Sequence, residues 1–417
     1  MDKNTTTGLI LIGAVVLAFM FLNKPQEQSV ANRAVTEIND ISSTKSEVKN
    51  SVDISPKESS LNDLDSADMI IYQKLKDQQE QEELIERYGV FFGSVSGEEE
   101  NYILENDKIK LSFSNKGARI INAEMVELDE DGLFKYRTYQ DFIDNENNPI
   151  SLFEEKTSRM SLSLVDAEKV VPIESEDLFF KLTKQNDTLL VFRSFAGSDD
   201  KYLEFSYSLS EGNYDVDFEI NYHKIENDIK SDVDLKWSMN GLSTEKIASD
   251  ERIITTIMYR NFGNSRDYLS ETSDDEEVLD GNLNWIAFKQ KFFSCILLSE
   301  EGIGKSKVSC KVLEGERYTD SYASKSSVPS LGKVSLKFLF IPNDYDLLET
   351  YDSEIEDIIN LGGSVFAWVN RYMIDPVFKY LMTTGLSLGL IILLLTIIVK
   401  IVIMPLTYKN YMSTAKT

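Results

Sequence analysis

The feature that most constrains this chain is an apolar stretch near its C-terminus, Leu386–Leu406, which reads LSLGLIILLLTIIVKIVIMPL. Its 21 residues are apolar apart from Ser387, Thr396 and Lys400. At about 1.5 Å per residue, a helix of this length covers roughly 30 Å, the thickness of the hydrocarbon core of a bilayer. The stretch therefore predicts a transmembrane helix, and we assign residues 382–407 to this transmembrane segment.

Two residues within this stretch are unusual for a membrane span. A lysine at the centre of a span costs about 2.5–3.5 kcal/mol on insertion scales, so Lys400 invites a functional explanation. The alternative is snorkelling, since Lys400 lies six residues before Leu406 and its stem can lift the ammonium toward the near interface. Pro405 has no N–H to donate to the carbonyl of Ile401, so it is expected to kink or end the helix.

A second apolar segment lies at the other end of the chain. Gly8–Leu22 is a run of 15 apolar residues, close to the length of a span. No small-residue cleavage pattern follows in Asn23-Lys24-Pro25-Gln26. We therefore favour an uncleaved transmembrane anchor over residues 1–25, with a cleaved signal peptide as the alternative.

The charge of the chain is large and unevenly placed. It has 43 Lys and Arg against 70 Asp and Glu, a formal net charge of −27, and nearly all the acid lies between the two apolar segments. Residues 408–417 carry Lys409 and Lys416 and no acid, which marks them as the start of a cytoplasmic region. The acidic portion then lies outside, in the periplasm. Its acidity argues against nucleic acid as a partner, because phosphate binding requires a basic surface.

The portion between the anchors changes character along its length. Residues 26–64 are rich in Ser, Asn, Asp, Glu and Lys and nearly empty of aromatic residues, a composition that predicts a flexible tether. Apolar residues between Ser66 and Tyr88 then recur with helical spacing, which predicts a charged amphipathic helix. Together these segments form an acidic linker over residues 26–98.

From about Tyr102 the hydrophobic period changes from helical to alternating. Ile109–Phe113, Tyr202–Tyr222 and Val334–Phe340 alternate apolar with polar residues and are bounded by polar turns. A further turn, Ser210-Glu211-Gly212-Asn213, divides Tyr202–Tyr222 into the two strands of a hairpin. Many short strands separated by such turns predict a mainly β domain, an antiparallel sandwich over residues 99–345.

Residues 346–381 are expected to connect this domain to the predicted C-terminal span. Apolar residues between Ile355 and Val369 have helical spacing, and Gly362-Gly363 is expected to break the helix into two segments. Aromatic residues suited to the headgroup belt of a membrane follow at Trp368, Tyr372 and Tyr380. The alternative is an ordinary helix that ends the β domain.

Several motifs follow one another in the C-terminal block. They are Trp368-Val369-Asn370-Arg371, Ile374-Asp375-Pro376-Val377-Phe378, Gly389-Leu390-Ile391-Ile392-Leu393-Leu394-Leu395-Thr396, Lys400 and Pro405-Leu406-Thr407. In order and spacing, this block resembles the YidC/Oxa/Alb membrane protein insertases. In that family a basic residue at the position of Lys400 lines a hydrophilic groove. Many relatives carry arginine there, and lysine keeps the charge but loses the bidentate fork.

The resemblance extends more weakly into the β domain. The stretches that carry it are Leu104-Glu105-Asn106-Asp107, Phe113-Ser114-Asn115-Lys116-Gly117 and Trp285-Ile286-Ala287-Phe288-Lys289-Gln290-Lys291-Phe292-Phe293. The resemblance implies a periplasmic supersandwich between two transmembrane α-helices, with the connector lying as an amphipathic helix on the outer membrane surface.

The resemblance also implies a function. The chain is expected to be a multi-pass inner-membrane insertase and chaperone, which aids insertion and folding of integral membrane proteins with or without the Sec translocon. Its implied partners are nascent membrane proteins, the Sec translocon, the lipid bilayer and, as a further candidate, the ribosome. No enzymatic activity, cofactor or metal is expected, because a polar groove acts by lowering a desolvation cost. The alternative is a two-span envelope protein whose sandwich binds carbohydrate or scaffolds envelope proteins.

The family's functional core has five spans around the groove. This chain contains only the first of them, beside the extra N-terminal anchor, so we expect it to be C-terminally truncated relative to a complete insertase. One charged helix cannot enclose a polar groove. Further sequence or a second chain is expected to supply the remaining spans.

Other motifs favour structural roles. The single histidine, His223, lies in a strand pattern and argues against a histidine-based catalytic triad or a multi-histidine metal site. Gly302–Ser306 resembles the end of a phosphate loop, but Ser299 stands where the pattern needs glycine, so a hairpin turn is expected. Asp274–Glu277 lacks the spacing of a calcium loop and is expected to be a solvated loop. Trp285 is expected to be a core residue.

The two cysteines lie on either side of the expected hairpin turn. Cys295 and Cys310 are placed symmetrically about Gly302-Ile303, so a hairpin closed there sets them opposite each other. Opposed Cβ atoms at about 4.5–5.5 Å can be bridged in a favourable pair, and an oxidising periplasm permits it. A disulfide is therefore one expectation, and two buried free thiols are the alternative.

Overall fold

A computed structural model describes residues 66–128, 134–136, 138–140, 147–165, 172–229, 233–362 and 364–414. The chain divides into two units, and all of the described strands belong to the second, Ala67–Thr417. The predicted anchor over residues 1–25 and the predicted tether over residues 26–64 lie outside the described residues.

The helices lie before and after the main run of strands. Helix α1 covers Ser66–Tyr88, where the spacing predicted a helix, and a 3-10 turn follows at Gly89–Ser94. The other helices are α2 (Ala248–Arg252), α3 (Tyr345–Glu349), α4 (Ser364–Val369), α5 (Asp375–Met382) and α6 (Leu388–Thr414), with 3-10 turns at Ser175–Asp177 and Ile355–Ile358 and a π-helical turn at Asn370–Ile374. Among the described residues, no helix is both long and apolar enough to cross a membrane.

The strands occupy most of the chain between α1 and α3. They are β1 (Asn101–Glu105), β2 (Ile109–Ser114), β3 (Arg119–Leu128), β4 (Phe134–Tyr136), β5 (Thr138–Gln140), β6 (Asn147–Pro149), β7 (Arg159–Val165), β8 (Pro172–Glu174), β9 (Lys181–Asn186), β10 (Leu189–Phe195), β11 (Tyr202–Leu209), β12 (Asp215–His223), β13 (Val233–Leu242), β14 (Thr256–Asn261), β15 (Asp267–Tyr268), β16 (Asp275–Leu279), β17 (Leu283–Lys289), β18 (Phe293–Ile303), β19 (Ser306–Val312), β20 (Tyr318–Val328) and β21 (Lys333–Pro342).

Within the described ranges these strands form three larger sheets and a two-stranded sheet of β5 and β6. The nine-stranded sheet has the order β15-β14-β17-β18-β21-β12-β11-β10-β9, the six-stranded sheet β16-β19-β20-β13-β7-β8, and the four-stranded sheet β1-β2-β3-β4. The neighbouring strands pair antiparallel. The prediction of a mainly antiparallel β fold is confirmed.

The nine-stranded sheet packs against both other sheets. Trp237 of the six-stranded sheet stacks on Phe288 of the nine-stranded sheet, with ring centroids 4.1 Å apart. Phe113 of the four-stranded sheet lies 4.8 Å from Tyr207 of the nine-stranded sheet, ring to ring. The Tyr207 hydroxyl also donates to the carbonyl of Ala118 at 2.7 Å, which satisfies a polar group inside the core. These contacts make the domain a sandwich.

The hairpin of β11 and β12 shows how the alternating pattern produces this packing. Tyr207 lies opposite Phe218 across the pair, and their rings stack 4.8 Å apart. Gly212 in the turn has a φ of 79°, in the left-handed region that glycine tolerates best. Burying one such apolar side chain stabilises the fold by about 1.5–3 kcal/mol. The buried residues of β11 occupy every second position, at Leu203, Phe205, Tyr207 and Leu209.

The structure corrects the expectation of a hairpin at Gly302–Ser306. Strand β18 pairs with β17 and β21 in the nine-stranded sheet, whereas β19 pairs with β16 and β20 in the six-stranded sheet. The chain therefore crosses from one layer to the other at this point. A Cβ on Gly304 would lie 2.7 Å from the carbonyl oxygen of Ser327, so close packing against β20 requires the glycine.

The same crossing corrects the expected placement of the cysteines. Cys295 lies opposite Phe288 and Phe340 in the nine-stranded sheet, and Cys310 lies opposite Tyr322 in the six-stranded sheet. The prediction that a hairpin sets the two cysteines opposite each other is wrong. Both are buried free thiols in the described part of the chain. Burial raises the pKa of each thiol, that of Cys310 to about 12.

The acidic cluster is a strand and not the expected loop. Asp275–Leu279 forms β16 at the edge of the six-stranded sheet, where Glu276 pairs with Lys307 of β19 at 3.0 Å. Its acidic side chains are exposed, and charge on an edge strand disfavours pairing with another chain. The sequence did not indicate this strand, because four consecutive acidic residues are typical of a loop. The strand that pairs with it lies about thirty residues further along the chain.

Candidate functional site

The part of the connector that leads to α6, which we call the connector from here on, begins at Gly362 and is helical from Ser364 to Met382. Gly362 has a φ of 93°, and α4, the π-helical turn and α5 then follow without interruption from Ser364 to Met382. The Asn370 side chain donates to the carbonyl of Leu361 at 3.1 Å, which holds the start of this helical path against the preceding loop. The break expected at Gly362-Gly363 falls just before α4.

A short loop anchors the connector to the sandwich core. Arg260 of β14 is buried and donates to Asp357 at 2.7 Å and to Glu354. The Trp285 indole N–H donates to the carbonyl of Ser353 at 3.0 Å, so this core residue also holds the loop. Ile355 is fully buried beside these contacts. The segment that leads into the connector is therefore part of the rigid domain.

Ion pairs attach the connector to α3. Arg371 pairs with Glu349, and its guanidinium lies 5.0 Å from the centroid of the Tyr345 ring. Lys379 pairs with Asp346 and, at 2.6 Å, with Asp375. Each pair is exposed, so solvent screens it and it stabilises the fold only weakly. Their joint effect is to orient the helix, and they leave its aromatic side chains directed into solvent.

The connector and α6 expose a large apolar surface. Trp368, Tyr372 and Tyr380 are 61%, 62% and 70% exposed. Contiguous apolar exposure of this kind marks a contact with a membrane or a partner. The exposed apolar residues of α6 are Leu388, Leu390, Ile392, Leu393, Ile397, Ile401 and Met404.

The two site residues predicted from the sequence lie on one helix. Lys400 is exposed on α6, and no ion pair of its side chain occurs among the described residues. The helix continues past Pro405 to Thr414, so it does not end at the proline. The Thr396 hydroxyl donates a hydrogen bond to the carbonyl of Ile392 at 2.8 Å. Lys400 thus has no ion-pair partner among the side chains that the structure describes.

A separate cleft lies on the sandwich, and sequence reasoning missed it. It has a volume of about 880 Å³ and is bordered by the four-stranded sheet and by the start of β7. Arg119 is buried in its wall and donates to the carbonyl of Ser158 at 2.9 Å, and burial lowers its pKa. No motif pointed to this cleft, because its charged residues come from distant segments. They are Glu99, Lys116, Arg119, Glu154, Glu155, Lys156, Arg159 and Glu176.

The remaining sequence motifs show no reactive geometry. His223 ends β12 and stacks on Tyr202 with ring centroids 4.6 Å apart, which agrees with a structural role. No group of His, Cys, Asp and Glu side chains suited to a metal ion is present in the portion of the chain that the structure describes. Gly302–Ser306 is the crossing between sheets.

Comparison with known proteins gives a match over most of the sandwich. The family model described as the YidC periplasmic domain matches residues 102–375, more than half of the chain. The chain is 32% identical to the membrane protein insertase YidC of Parabacteroides distasonis, over 100% of this chain and 65% of that protein. It is 31% identical to the protein of the same name from Phocaeicola vulgatus, over 100% of this chain and 64% of that protein.

The chain therefore spans just under two thirds of the length of these curated relatives. Among solved structures, it is similar to a galactose mutarotase-like protein from Lactobacillus casei. The sequence identity is 12%, the match covers 58% of this chain and 100% of that chain, and the TM-score is 0.38.

Proposed function

This chain belongs to the YidC periplasmic domain family, and we propose that it acts in membrane protein insertion. In this proposal it aids insertion and folding of integral membrane proteins at the inner membrane, with or without the Sec translocon. The observation that carries the proposal is Lys400, a charge within the mainly apolar stretch Leu386–Leu406, in a chain similar over its whole length to named insertases.

The proposed topology follows from the apolar segments and the charge asymmetry. Residues 1–25 and Leu386–Leu406 span the membrane, the sandwich lies in the periplasm, and residues 408–417 lie in the cytoplasm. The exposed Trp368, Tyr372 and Tyr380 support a connector that lies on the outer membrane surface, because aromatic rings with a polar edge favour the headgroup level. The ion pairs with α3 then hold the sandwich at a set orientation above the bilayer.

The proposed mechanism involves no covalent chemistry. Moving a hydrophilic segment of a substrate into hydrocarbon costs free energy because its polar groups lose water. An ammonium at Lys400 offsets part of that cost for acidic segments, and the apolar helix of the substrate then leaves along α6 into lipid. Partners in this proposal are nascent membrane proteins, lipid and the Sec translocon, with the ribosome as a further candidate.

One observation favours the alternative function. The cleft of about 880 Å³ on the sandwich has basic, acidic and amide side chains together with exposed Ile103, a lining compatible with a polar ligand such as carbohydrate. An envelope protein that binds carbohydrate through this cleft needs α6 only as an anchor. It does not need a charge at Lys400, so substitution of that residue separates the two functions.

The test places Lys400→Ala and Lys400→Arg at the native locus of the gene, while a repressible second copy supplies the wild-type protein until the measurement. A small membrane protein that does not need the Sec translocon is labelled, and its insertion is measured by protease protection after the wild-type protein is depleted. Lys400→Ala should reduce the inserted fraction several-fold, most for substrates with acidic external segments, and Lys400→Arg should retain most of it, since arginine keeps the charge.

Thr396→Ala is the matched control, because it removes the neighbouring polar side chain of α6 whose hydroxyl is satisfied within the helix. It should leave insertion unchanged. If Lys400→Ala inserts substrates as well as the wild type at equal protein abundance, Lys400 merely snorkels to the interface and the proposed mechanism fails.

A further inference from the structure

A small cleft lies where the connector meets the sandwich, and the proposed insertion mechanism does not use it. We name it the connector cleft and define it by Arg266, Glu356, Asp357, Trp368, Arg371 and Tyr372, six of its lining residues. Its volume is about 310 Å³. At about 30 Å³ per water molecule, that is room for a headgroup-sized polar ligand.

The two arginines that line the connector cleft can still donate hydrogen bonds to a ligand. Arg266, in the loop between β14 and β15, is partly buried and has no ion pair among the described residues. Arg371 pairs with Glu349, but a guanidinium carries five N–H donors in a planar fork. Two guanidinium groups that line one cleft favour a phosphate, which accepts bidentate hydrogen bonds from arginine.

The acidic side of the connector cleft lacks a cation. Asp357 is already held by Arg260 at 2.7 Å, whereas Glu356 is partly buried and has no ion-pair partner within the described ranges. Burial raises the pKa of Glu356, and the nearby Asp357 and Glu349 carboxylates raise it further. A carboxylate that is partly desolvated among other carboxylates gains from a bound ammonium group.

The surroundings of the connector cleft indicate where the ligand comes from. Trp368 and Tyr372 border the cleft and are both largely exposed, with their ring centroids 6.0 Å apart. Both belong to the aromatic surface that the proposed function sets at the headgroup level of the outer leaflet. A ligand that carries a phosphate and an amine at that level is a phospholipid headgroup.

We propose that the connector cleft binds the headgroup of a zwitterionic phospholipid with a primary amine, such as phosphatidylethanolamine. Arg266 and Arg371 hold the phosphate, and Glu356 accepts hydrogen bonds from the ammonium group. A choline headgroup has no N–H to donate, and a glycerol headgroup has no positive charge, so both fit less well. The inference rests on the proposed function, because it needs the connector at the membrane surface.

The test uses the full chain purified in detergent. It is mixed with equimolar phosphatidylethanolamine, phosphatidylcholine and phosphatidylglycerol of matched acyl chains, and retained lipid is measured by native mass spectrometry. The wild type should retain phosphatidylethanolamine several-fold more than either other lipid. Glu356→Gln should lose that preference, because it removes the negative charge that faces the ammonium group and keeps the side-chain shape. Arg266→Gln should lower the retention of all three lipids several-fold, because each of them carries the phosphate.

Lys305→Gln is the control variant, because Lys305 forms an exposed ion pair with Asp280 and does not line the connector cleft. It should retain the preference. Equal retention of the three lipids by the wild type would overturn the inference, and so would an unchanged preference in Glu356→Gln or unchanged lipid retention in Arg266→Gln. Soluble phosphoethanolamine bound as tightly as the lipid would also overturn it, since the cleft would then serve a free solute.

A flotation assay keeps this inference separate from the proposed function. The full chain is reconstituted with vesicles of phosphatidylcholine and phosphatidylglycerol alone. If the chain floats with these vesicles but showed no preference for phosphatidylethanolamine in the mass spectrometry experiment, only the headgroup inference fails. If it does not associate with vesicles of any composition, the proposed membrane placement fails as well.

Discussion

Glu154 joins the turn before β7 to the start of β20. Its carboxylate accepts a hydrogen bond from the Tyr318 hydroxyl at 2.6 Å, pairs with Lys156 at 3.1 Å, and accepts from Arg317. Burial alone would raise the pKa of Glu154, but the hydrogen bonds from Tyr318, Arg317 and Lys156 outweigh it and lower the pKa to about 2. The ionised carboxylate is therefore a stabilising group of the sandwich.

Replacing this carboxylate should make stability less dependent on pH. Glu154→Gln is expected to lower the free energy of unfolding by about 1.5–3 kcal/mol at neutral pH, the range for hydrogen bonds to charged groups. The folded-state pKa lies below the unfolded-state pKa of about 4.3, so the stabilisation is complete above that value. It is lost as the pH falls toward the folded-state pKa of about 2.

Urea unfolding of the full chain in detergent, followed by tryptophan fluorescence, measures this difference. The gap between the wild type and Glu154→Gln should narrow steadily below about pH 4.5. Glu155→Gln is the matched control, because the neighbouring Glu155 is exposed, and surface substitutions stay within about 0.5 kcal/mol. A gap that stays constant from pH 7 to pH 3 would contradict the assigned role of the carboxylate.

Among the secondary structure elements, the connector depends on the 3-10 turn at Ile355–Ile358 for its position. This turn is held by Arg260 from β14 and by the buried side chains of Ile355 and Ile358. Breaking a partly buried ion pair leaves its partners without compensation, although here both carboxylates can regain water. The element should therefore loosen without unfolding the sandwich.

Arg260→Gln tests this dependence. It should lower the free energy of unfolding by about 1–3 kcal/mol and speed hydrogen exchange of backbone amides in the turn and the following loop, residues 353–362. Hydrogen exchange with mass spectrometry measures the effect peptide by peptide. Lys305→Gln, which breaks an exposed pair with Asp280, should leave exchange in this segment unchanged. Equal exchange in the wild type and Arg260→Gln would show that the apolar contacts alone hold the turn.

At the scale of the whole molecule, the acidic sandwich and the basic C-terminal residues are expected on opposite sides of the membrane. The native cysteines do not interfere with labelling of introduced ones, because both are buried and burial raises the pKa of each thiol. Intact cells treated with a membrane-impermeant maleimide should therefore label Ser198→Cys, in an exposed turn of the sandwich. They should not label Asn410→Cys until the cells are opened.

The unsubstituted chain is the control for that labelling experiment and should stay unlabelled. Labelling of Asn410→Cys in intact cells would place the C-terminal residues outside and reject the proposed topology.

The sequence by itself determined the features that depend on local periodicity. The alternation along β11 and β12 with a glycine turn between them predicted that hairpin, because the side-chain period and the turn geometry are properties of adjacent residues. Helical spacing likewise predicted the helix at Ser66–Tyr88. For the candidate site, the sequence identified Lys400 and the aromatic residues of the connector, which the structure leaves exposed. The groove role of Lys400 and a kink at Pro405 stay predictions, whereas the helix does not end at Pro405.

Only the tertiary structure decided which strands pair and which side chains share a surface. An alternating strand has one face to bury, but nothing in its own residues says which sheet will cover it. For this reason Gly302–Ser306 was predicted to form a hairpin, although it crosses between sheets. The same crossing places Cys295 and Cys310 in different layers. The same lack of local information is also why both clefts went unpredicted. Arg266 is far from Glu356 and Arg371 in the chain, and the three residues line one cleft only because the loop after α3 folds back onto β14.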